Sequence, residues 1–223
     1  MKMTQMESFF AKNGANLLGG GVVHARDIAE IGKSVWSLFC ADAGYFTALK
    51  YKLEVSGVIG DLDSVGDIHG AEFPVVQDLD QDTTDLEKSL SAIQAPHILC
   101  YGFLGGRLDH SMAAFNAIAK TPKSAFLIDD QDACAICPAH LDLTLPVGTR
   151  FSIFPLTSVQ ARSKGLKWNV DGLALSPTGI VSTSNCSTEP RVQCWIDQGA
   201  AIVIFPREFI NDVLAQWPST VVD

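Results

Sequence analysis

The first 140 residues alternate between short apolar runs and segments with helical spacing, and this alternation constrains the fold more than any other feature. SVWSLFCA and VSGVIG have the length of buried strands, and segments such as ARDIAEIGK and LDHSMAAFNAIAK have helical periodicity. Strands that alternate with helices form parallel sheets whose faces are covered by the helices. The sequence therefore predicts an α/β domain over residues 1–140, with a mainly parallel sheet covered by helices.

The pattern changes at about residue 141, where helical periodicity disappears. Short strand-like runs, among them RFSIFPL, RVQCWI and AAIVIFP, are separated by Pro, Gly, Asn and Ser. This pattern is typical of small antiparallel sandwiches and barrels. We predict a C-terminal all-β sandwich over residues 141–223, with its boundary where Pro138, Pro146 and Gly148 cluster.

The charge balance restricts the ligands that we expect. The chain has 16 Lys and Arg against 25 Asp and Glu, which gives a net charge of −9. Nucleic-acid-binding domains usually present a basic stripe, so we expect no nucleic-acid partner. A phosphorylated substrate is still compatible with this charge, because a bound divalent cation inverts the local field.

The sequence also bears on location. Its first residues show no apolar core followed by a small-residue cleavage site, and no run approaches the ~18 apolar residues of a membrane-spanning helix. Several of the six cysteines lie in apolar runs, where reduced buried thiols are the rule. We therefore expect a cytoplasmic protein without a membrane partner. Cys134 and Cys137 form an isolated C-x-x-C, which we interpret as structural.

Carboxylates follow the predicted strands, where ligands of open parallel sheets bind. Asp42 follows SLFCA, and Asp61 and Asp63 follow VSGVIG. In an extended segment Asp61 and Asp63 point to the same side, and Mg²⁺ between them would relieve their repulsion. For a bare D-x-D, a loop of Asx-turns is the better explanation. Asp42 and Asp85 in addition favour the metal site.

A predicted helix begins at TTDLEKSL, with Thr or Asp as its cap. Asp85 and Lys88 are three residues apart and so lie on one face of this helix. There they are suited to a metal ion and a phosphate, although taken alone they are better explained as a surface capping pair with a salt bridge.

A second helix is preceded by GFLGGR. Gly105 and Gly106 allow backbone N–H groups to approach a phosphate, with the helix N-terminus behind them. Arg107 offers a planar fork to phosphate oxygens, and Asp109 is placed to bind metal or to orient an attacking hydroxyl.

The C-terminal half contains one candidate ligand surface. Trp168 offers an aromatic face to a flat heterocycle or a cation, and a core tryptophan explains it equally well. Residues Ser182 to Asn185 provide hydroxyls and an amide suited to a polar ring edge, although by themselves they indicate only a turn.

In this order, these segments resemble the thiamine pyrophosphokinase family. The resemblance extends from about residue 17 to 206, and Asp-Ala-Gly at 42–44 is similar to the family's Asp-Gly-Gly. The motifs are GDLDS (60–64), DQDTTDLEKSL (80–90), GFLGGRLDH (102–110), GLKWNVDGLAL (165–175) and VSTSN (181–185).

The resemblance implies an ATP- and Mg²⁺-binding catalytic α/β domain, a thiamine-binding β-sandwich and a homodimer with active sites at the subunit interface. It implies the reaction of ATP with thiamine to give thiamine diphosphate and AMP. By motif position, it implies a metal and catalytic cluster of Asp42, Asp61, Asp63 and Asp85, phosphate binding by Lys88, Gly105, Gly106 and Arg107, substrate orientation by Asp109, and substrate contacts from Gln81, Trp168, Ser182 and Asn185.

The chain departs from the family in three places. It has GGGVV at 19–23 where the family has Asn-Gly, Leu53 to Ser56 where it has Pro-Asp, and Ala43 where it has glycine. These departures concern nucleotide preference, since none removes a carboxylate. Two alternatives stay open: a Mg²⁺-dependent phosphohydrolase that uses the same carboxylates on a nucleotide, and a non-catalytic thiamine sensor.

Overall fold

The computed structural model describes residues 8–62 and 73–218 of the chain. The chain divides into two compact units, one that reaches Asp130 and one that starts at Gln131. This division lies before the change of sequence pattern near residue 141. The assignment of separate functions to residues 1–140 and 141–223 stays a prediction.

The first unit alternates strands and helices along the chain. Its elements are β1 (Phe9–Phe10), β2 (Ala15–Leu18), α1 (Ala25–Lys33), β3 (Ser37–Ala41), α2 (Gly44–Tyr51), β4 (Gly57–Gly60), β5 (Val75–Gln77), α3 (Asp85–Ala92), β6 (Ile93–Gln94), β7 (Ile98–Tyr101), α4 (Leu108–Lys120) and β8 (Ala125–Ile128).

Six of these strands form a parallel sheet in the order β8-β7-β2-β3-β4-β5. Every residue of β2, β4, β7 and β8 is buried, as expected when helices cover both faces of a sheet. Strands β1 and β6 form a separate short parallel pair. The predicted α/β architecture is confirmed, and α1 and α4 have the predicted bounds.

Both ends of α3 are held by side chains. The Thr84 hydroxyl accepts from the Glu87 N–H (3.2 Å), and the Glu87 carboxylate accepts from the Thr84 N–H (3.0 Å), which forms a capping box. At the other end, the Lys123 ammonium donates to the carbonyl oxygens of Ser91 (3.1 Å) and Ile93 (2.6 Å). These bonds satisfy backbone groups that a short helix leaves open.

The second unit consists of strands followed by a short helical segment. Its elements are β9 (Asp132–Ile136), β10 (His140–Thr144), β11 (Ser152–Pro155), β12 (Val159–Lys164), β13 (Ala174–Leu175), β14 (Arg191–Gln198), β15 (Ala201–Pro206), a 3₁₀ turn (Arg207–Phe209) and α5 (Ile210–Leu214).

These strands form antiparallel sheets, so the predicted all-β class of the C-terminal half is confirmed. One sheet has the order β10-β14-β12-β13, and β11, β15 and β9 are neighbours in that order. Burial alternates residue by residue along β12, as in a sheet with one face on a core. Strand β9 was not predicted from the sequence, and residues 179–183 (GIVST) make only isolated bridges.

No helix among the described residues has the length and apolar character needed to cross a membrane. All six cysteines are free thiols. Burial, with a smaller contribution from Cys194, raises the pKa of Cys137 well above its ordinary value. A protonated, buried thiol is unreactive, which supports the structural interpretation of the C-x-x-C.

Acid sensitivity is predicted at His97. Its imidazole is buried against Phe126, Nδ1 has no hydrogen-bond partner among the described residues, and burial lowers the pKa of His97. Below about pH 6.5 the His97 imidazole is protonated in the unfolded chain, whereas in the folded protein it stays neutral to lower pH. The free energy of unfolding therefore falls as the pH falls. We expect His97→Phe to remove this loss, measured by urea unfolding at about pH 7.5 and about pH 5.5. His140→Gln is the control, because His140 is exposed; an unchanged pH dependence in His97→Phe contradicts the prediction.

A second prediction concerns the start of α2. A Cβ at Gly44 would lie 2.0 Å from the carbonyl oxygen of Leu18, a backbone atom that cannot move aside. We expect Gly44→Ala to lower the free energy of unfolding by about 1–3 kcal/mol. Gly32→Ala is the matched control, since its Cβ would meet only Leu53 at 3.6 Å. Because Gly32 is an exposed helical position, Gly32→Ala is expected to raise the free energy of unfolding by about 0.5–1 kcal/mol, measured by urea unfolding. Equal effects of the two substitutions would contradict the steric explanation.

Candidate active site

The strand order of the first unit reverses between β2 and β7, because β3 to β5 extend on one side of β2 and β7 and β8 on the other. Open parallel sheets bind ligands outside the carboxyl ends of the strands at such a reversal. A cavity of about 780 Å³ lies there. Its lining comes from the segments after β2, β3, β4, β5 and β7 and from the first turns of α3 and α4.

Glycines bring the loops after β2 and β7 into backbone contact. The N–H of Gly21 donates to the carbonyl oxygen of Gly102 (2.9 Å), and a Cβ at Gly21 would lie 2.5 Å from that oxygen. A Cβ at Gly20 would lie 2.9 Å from the Cβ of Ala43. The stretch that departs from the family pattern therefore leaves no room for side chains between these loops.

Asp42 stands at the end of β3 in a strained and buried position. Its φ of 39° is in the left-handed region, where a non-glycine residue costs about 1 kcal/mol or more. The side chain lines the cavity but is only 5% exposed, and Oδ1 has no hydrogen-bond partner among the described residues. Such an oxygen is unfavourable unless a positive group joins it.

The end of β4 differs from the sequence expectation. Asp61 lines the cavity and is half-buried, while Asp63 lies outside the described residues. The expectation of an extended segment across both carboxylates is wrong at Leu62, whose φ is 66°. The chain turns directly after the strand, so strand alternation does not determine the direction of the next side chain.

The N-terminal turn of α3 contributes Asp85 and Lys88, and both line the cavity as their shared helix face predicts. Lys88 is only 5% exposed. A buried ammonium at the wall of an acidic cavity is suited to bind an anionic group that enters it. The α3 N-terminus adds the positive end of a helix dipole at the same place.

Asp80 belongs to the site and was not singled out from the sequence. Its carboxylate accepts from the Asp82 N–H (3.0 Å) and the Thr83 hydroxyl (2.9 Å). These two bonds, in that order, lower the pKa of Asp80, with a smaller effect of the Lys88 charge. The available signal was its place directly before Gln81 in DQDTTD. Gln81 lines the cavity too, and its Nε2 is 3.5 Å from the carbonyl oxygen of Leu79.

Arg107 and Asp109 form a bidentate ion pair at the start of α4. Nε and Nη2 of Arg107 donate to the two carboxylate oxygens of Asp109 at 3.1 and 2.6 Å, which lowers the pKa of Asp109. Both residues and Gly106 line the cavity, and the exposed His110 lies beside them. Gly105 is outside the cavity lining and has a left-handed φ of 78°.

The fit of this site to Mg²⁺ depends on its oxygen donors. Among residues 8–62 and 73–218, no three His, Cys, Asp or Glu side chains are grouped as a ready metal site. Asp42, Asp61 and Asp85 nevertheless line one cavity, and the buried Oδ1 of Asp42 lacks a partner within the described chain. Carboxylate oxygens are the ligands that Mg²⁺ prefers. These residues therefore fit a divalent cation that arrives with a phosphate ligand.

The remaining predicted residues form a cluster in the second unit. Trp168 is 54% exposed, so it is not a core tryptophan, and the Lys167 ammonium lies 4.5 Å from its ring centre. Nδ2 of Asn185 donates to the Trp168 carbonyl oxygen (2.7 Å) and to Oγ of Ser182 (3.1 Å). An open aromatic face and a hydroxyl are thus joined through a buried amide.

Two family models match the chain. The model of the thiamin pyrophosphokinase catalytic domain matches residues 29–128, and the model of the thiamin pyrophosphokinase vitamin B1 binding domain matches residues 139–200. Together the two matches cover well over half of the 223 residues.

Curated relatives carry the same name. The chain is 31% identical over 174 residues to thiamine pyrophosphokinase 1 of Oryza sativa subsp. japonica, across 67% of this chain and 64% of the rice protein. It is 30% identical over 154 residues to thiamin pyrophosphokinase 1 of Caenorhabditis elegans, across 60% of this chain and 63% of that protein. The chain therefore spans slightly less than two thirds of the length of these relatives.

Solved structures share the fold. The thiamine pyrophosphokinase from Bacillus subtilis matches with a TM-score of 0.72 and 21% identity, over 87% of this chain and 99% of that chain. The yeast enzyme matches with a TM-score of 0.69 and 16% identity, over 91% of this chain and 88% of that chain. With both domain models matched in order along it, the chain belongs to the thiamin pyrophosphokinase family.

Proposed function

We propose that this protein transfers the pyrophosphoryl group of ATP to the hydroxyl of thiamine, giving thiamine diphosphate and AMP, with Mg²⁺ required. One observation carries the proposal. A single cavity at the strand-order reversal gathers aspartates, the buried Lys88 and two helix N-termini. This is the combination that polyphosphate chemistry needs, because such transfer depends on positioning and charge neutralisation.

Lys88, Arg107 and the N-termini of α3 and α4 are proposed to hold the triphosphate. Lys88 contributes a charge from a buried position, where electrostatic interactions are stronger than in water. Arg107 donates to Asp109 through Nε and Nη2, which leaves Nη1 and the second hydrogen of Nη2 for phosphate oxygens. Gly106 allows the backbone before α4 to approach a phosphate oxygen.

The thiamine hydroxyl oxygen is proposed to attack the β-phosphorus in line with the bond to the α-phosphate oxygen. The new O–P bond forms as that bond breaks, AMP leaves, and an aspartate accepts the hydroxyl proton. Asp85 and Asp109 are the candidates from the sequence. The hydrogen bonds from Arg107 lower the pKa of Asp109 and weaken it as a base, so we assign the proton to Asp85.

Asp42 and Asp61 are proposed to hold Mg²⁺ together with Asp63, which lies outside the described residues, while Asp85 at the same cavity accepts the proton. When bound, the ion would supply positive charge against the phosphate oxygens. Asp42 is central to this assignment because its buried Oδ1 lacks a hydrogen-bond partner in the described chain.

Thiamine recognition is proposed to involve the second unit, where Trp168 offers an open aromatic face beside Ser182. A cationic heterocycle gains from such a face. The family resemblance further leads us to propose a homodimer with active sites at the subunit interface, and six free thiols support a cytoplasmic location.

The function is tested by incubating purified protein with ATP, Mg²⁺ and thiamine and resolving AMP, ADP and the thiamine phosphates. Equal amounts of AMP and thiamine diphosphate, abolished by EDTA, are expected. ATP breakdown that does not depend on thiamine would instead indicate a phosphohydrolase. Thiamine binding without turnover would indicate a sensor.

Asp42→Asn tests the buried carboxylate. We expect kcat to fall by about 10²-fold or more, because the substituted side chain no longer neutralises a cation. Because the buried Oδ1 of Asp42 lacks a hydrogen-bond partner among the described residues, the substitution is expected to leave the free energy of unfolding in EDTA equal or higher, measured by urea unfolding. Asp197→Asn is the control, since this exposed carboxylate pairs with Arg162 away from the cavity lining. Near-normal turnover in Asp42→Asn would remove Asp42 from the site.

The division of roles between the two candidate bases gives a separate prediction. Asp109→Asn is expected to raise KM for ATP about tenfold with a smaller loss of kcat, because Asp109 acts by orienting Arg107. Asp85→Asn is expected to lower kcat by about 10²-fold or more, with KM for ATP changed less. The opposite pattern would transfer the proton-accepting role to Asp109.

A further inference from the structure

Asn185 uses its whole side-chain amide inside the second unit, where it is only 1% exposed. Nδ2 donates to the Trp168 carbonyl oxygen (2.7 Å) and to Ser182 Oγ (3.1 Å). Oδ1 accepts from the backbone N–H groups of Trp168 (3.1 Å) and Cys186 (2.9 Å). Since an amide has two N–H donors and two acceptor lone pairs, these four bonds fill its capacity. Asn185 therefore retains no group for a ligand.

Trp168 needs such an anchor. It lies outside the strands of the second unit, and its side chain is more than half exposed. Asn185 takes both the N–H and the carbonyl oxygen of this residue, and Lys167 N–H adds a bond to the Cys186 carbonyl oxygen (2.9 Å). A ligand that stacks on an indole whose backbone is already held loses less free energy in ordering it.

Asn185 is itself fixed against β11. The Phe151 N–H donates to the Asn185 carbonyl oxygen (2.9 Å), and the Ser184 N–H donates to Ser152 Oγ (3.2 Å). Ser184 has a left-handed φ of 57°, so the chain turns sharply just before Asn185 and directs its amide inward. The anchor of Trp168 is thus continuous with a strand.

The same amide determines which hydrogen-bonding role is left to the Ser182 hydroxyl. Because Nδ2–H of Asn185 occupies a lone pair of Ser182 Oγ, the serine hydrogen is available to donate elsewhere. Ser182 is half-buried, so this donor reaches only a group that approaches closely. A flat heteroaromatic ring with an acceptor nitrogen at its edge matches a donor next to an aromatic face.

We propose that Asn185 is a positioning residue, which holds the Trp168 indole and the Ser182 hydroxyl in a fixed relation for the heteroaromatic substrate. The identity of that substrate rests on the proposed function, whereas the positioning itself does not. In this proposal Asn185 acts through Trp168 and Ser182 rather than by contacting the ring edge itself, because its amide is occupied and buried.

The test compares Asn185→Asp with Asn169→Asp. The first change keeps the acceptor and removes both donors, which turns the contact with the Trp168 carbonyl oxygen repulsive. The second is a matched control in the loop that carries Trp168, because Asn169 Oδ1 accepts a hydrogen bond from the Ser163 hydroxyl (3.2 Å), which an aspartate preserves. Each protein is measured with and without the additional substitution Trp168→Phe. The difference between the two fluorescence signals is the signal of Trp168, one of the four tryptophans.

We expect the local motion of Trp168 to become faster in Asn185→Asp, measured as fluorescence anisotropy decay. In Asn169→Asp we expect the same motion as in the wild type. We also expect KM for thiamine to rise about tenfold, with kcat and KM for ATP within about twofold of the wild type. Unchanged Trp168 motion together with an unchanged KM for thiamine would overturn the proposal. If the wild type forms no thiamine diphosphate, the proposed function fails, and the anisotropy comparison alone decides the positioning.

A measurement on the wild type covers the case in which Asn185→Asp does not fold. Amide hydrogen exchange at Trp168 is expected to be slowed about 10²-fold or more relative to an unstructured peptide, because its N–H donates to a buried amide oxygen. Exchange at the unprotected rate would overturn the anchor directly.

Discussion

The candidate site depends on close contacts between backbone segments that leave no room for a side chain. Gly44 starts α2 directly against the carbonyl oxygen of Leu18, and Gly21 meets the carbonyl oxygen of Gly102. These approaches draw the loops after β2, β3 and β7 together at the place where the strand order reverses. A crevice at that point is a general consequence of open parallel sheets, and here it becomes a cavity lined by charged groups.

Charge compensation is the second constraint. The cavity wall holds a buried carboxylate, Asp42, and a buried ammonium, Lys88, in a chain with a net charge of −9. A buried charge is unfavourable in isolation, so this cavity is suited to bind both a cation and an anionic ligand. The left-handed backbone at Asp42 adds local strain, which folded proteins retain mostly where a function needs it. The proposed ligand, a metal-bound polyphosphate, would satisfy both charges at once.

Features that follow from local rules could be predicted from the sequence. The bounds of α1 and α4 follow from periodicity. The strand-end rule predicted Asp42 and Asp61, and the helix face shared by Asp85 and Lys88 predicted those two; all four line one cavity.

Features that depend on tertiary contacts could not be predicted in this way. The left-handed turn at Leu62 depends on the exit path of a strand, and the buried amide of Asn185 depends on Trp168, a neighbour 17 residues away. Strand β9 was missed because DACAI is short and directly follows another strand. Asp80 was not predicted because a segment rich in aspartates is typical of a solvated loop, and its hydrogen bonds with Asp82 and Thr83 are visible only in the structure.

The most direct test of the central claim follows the bridging oxygen between the α- and β-phosphates of ATP. With a heavy-oxygen label at that position, attack of the thiamine hydroxyl on the β-phosphorus leaves the label in AMP, which mass spectrometry detects together with unlabelled thiamine diphosphate. We predict this outcome, and only in the presence of Mg²⁺. Formation of ADP with thiamine monophosphate, or release of labelled AMP without any thiamine product, would contradict pyrophosphoryl transfer.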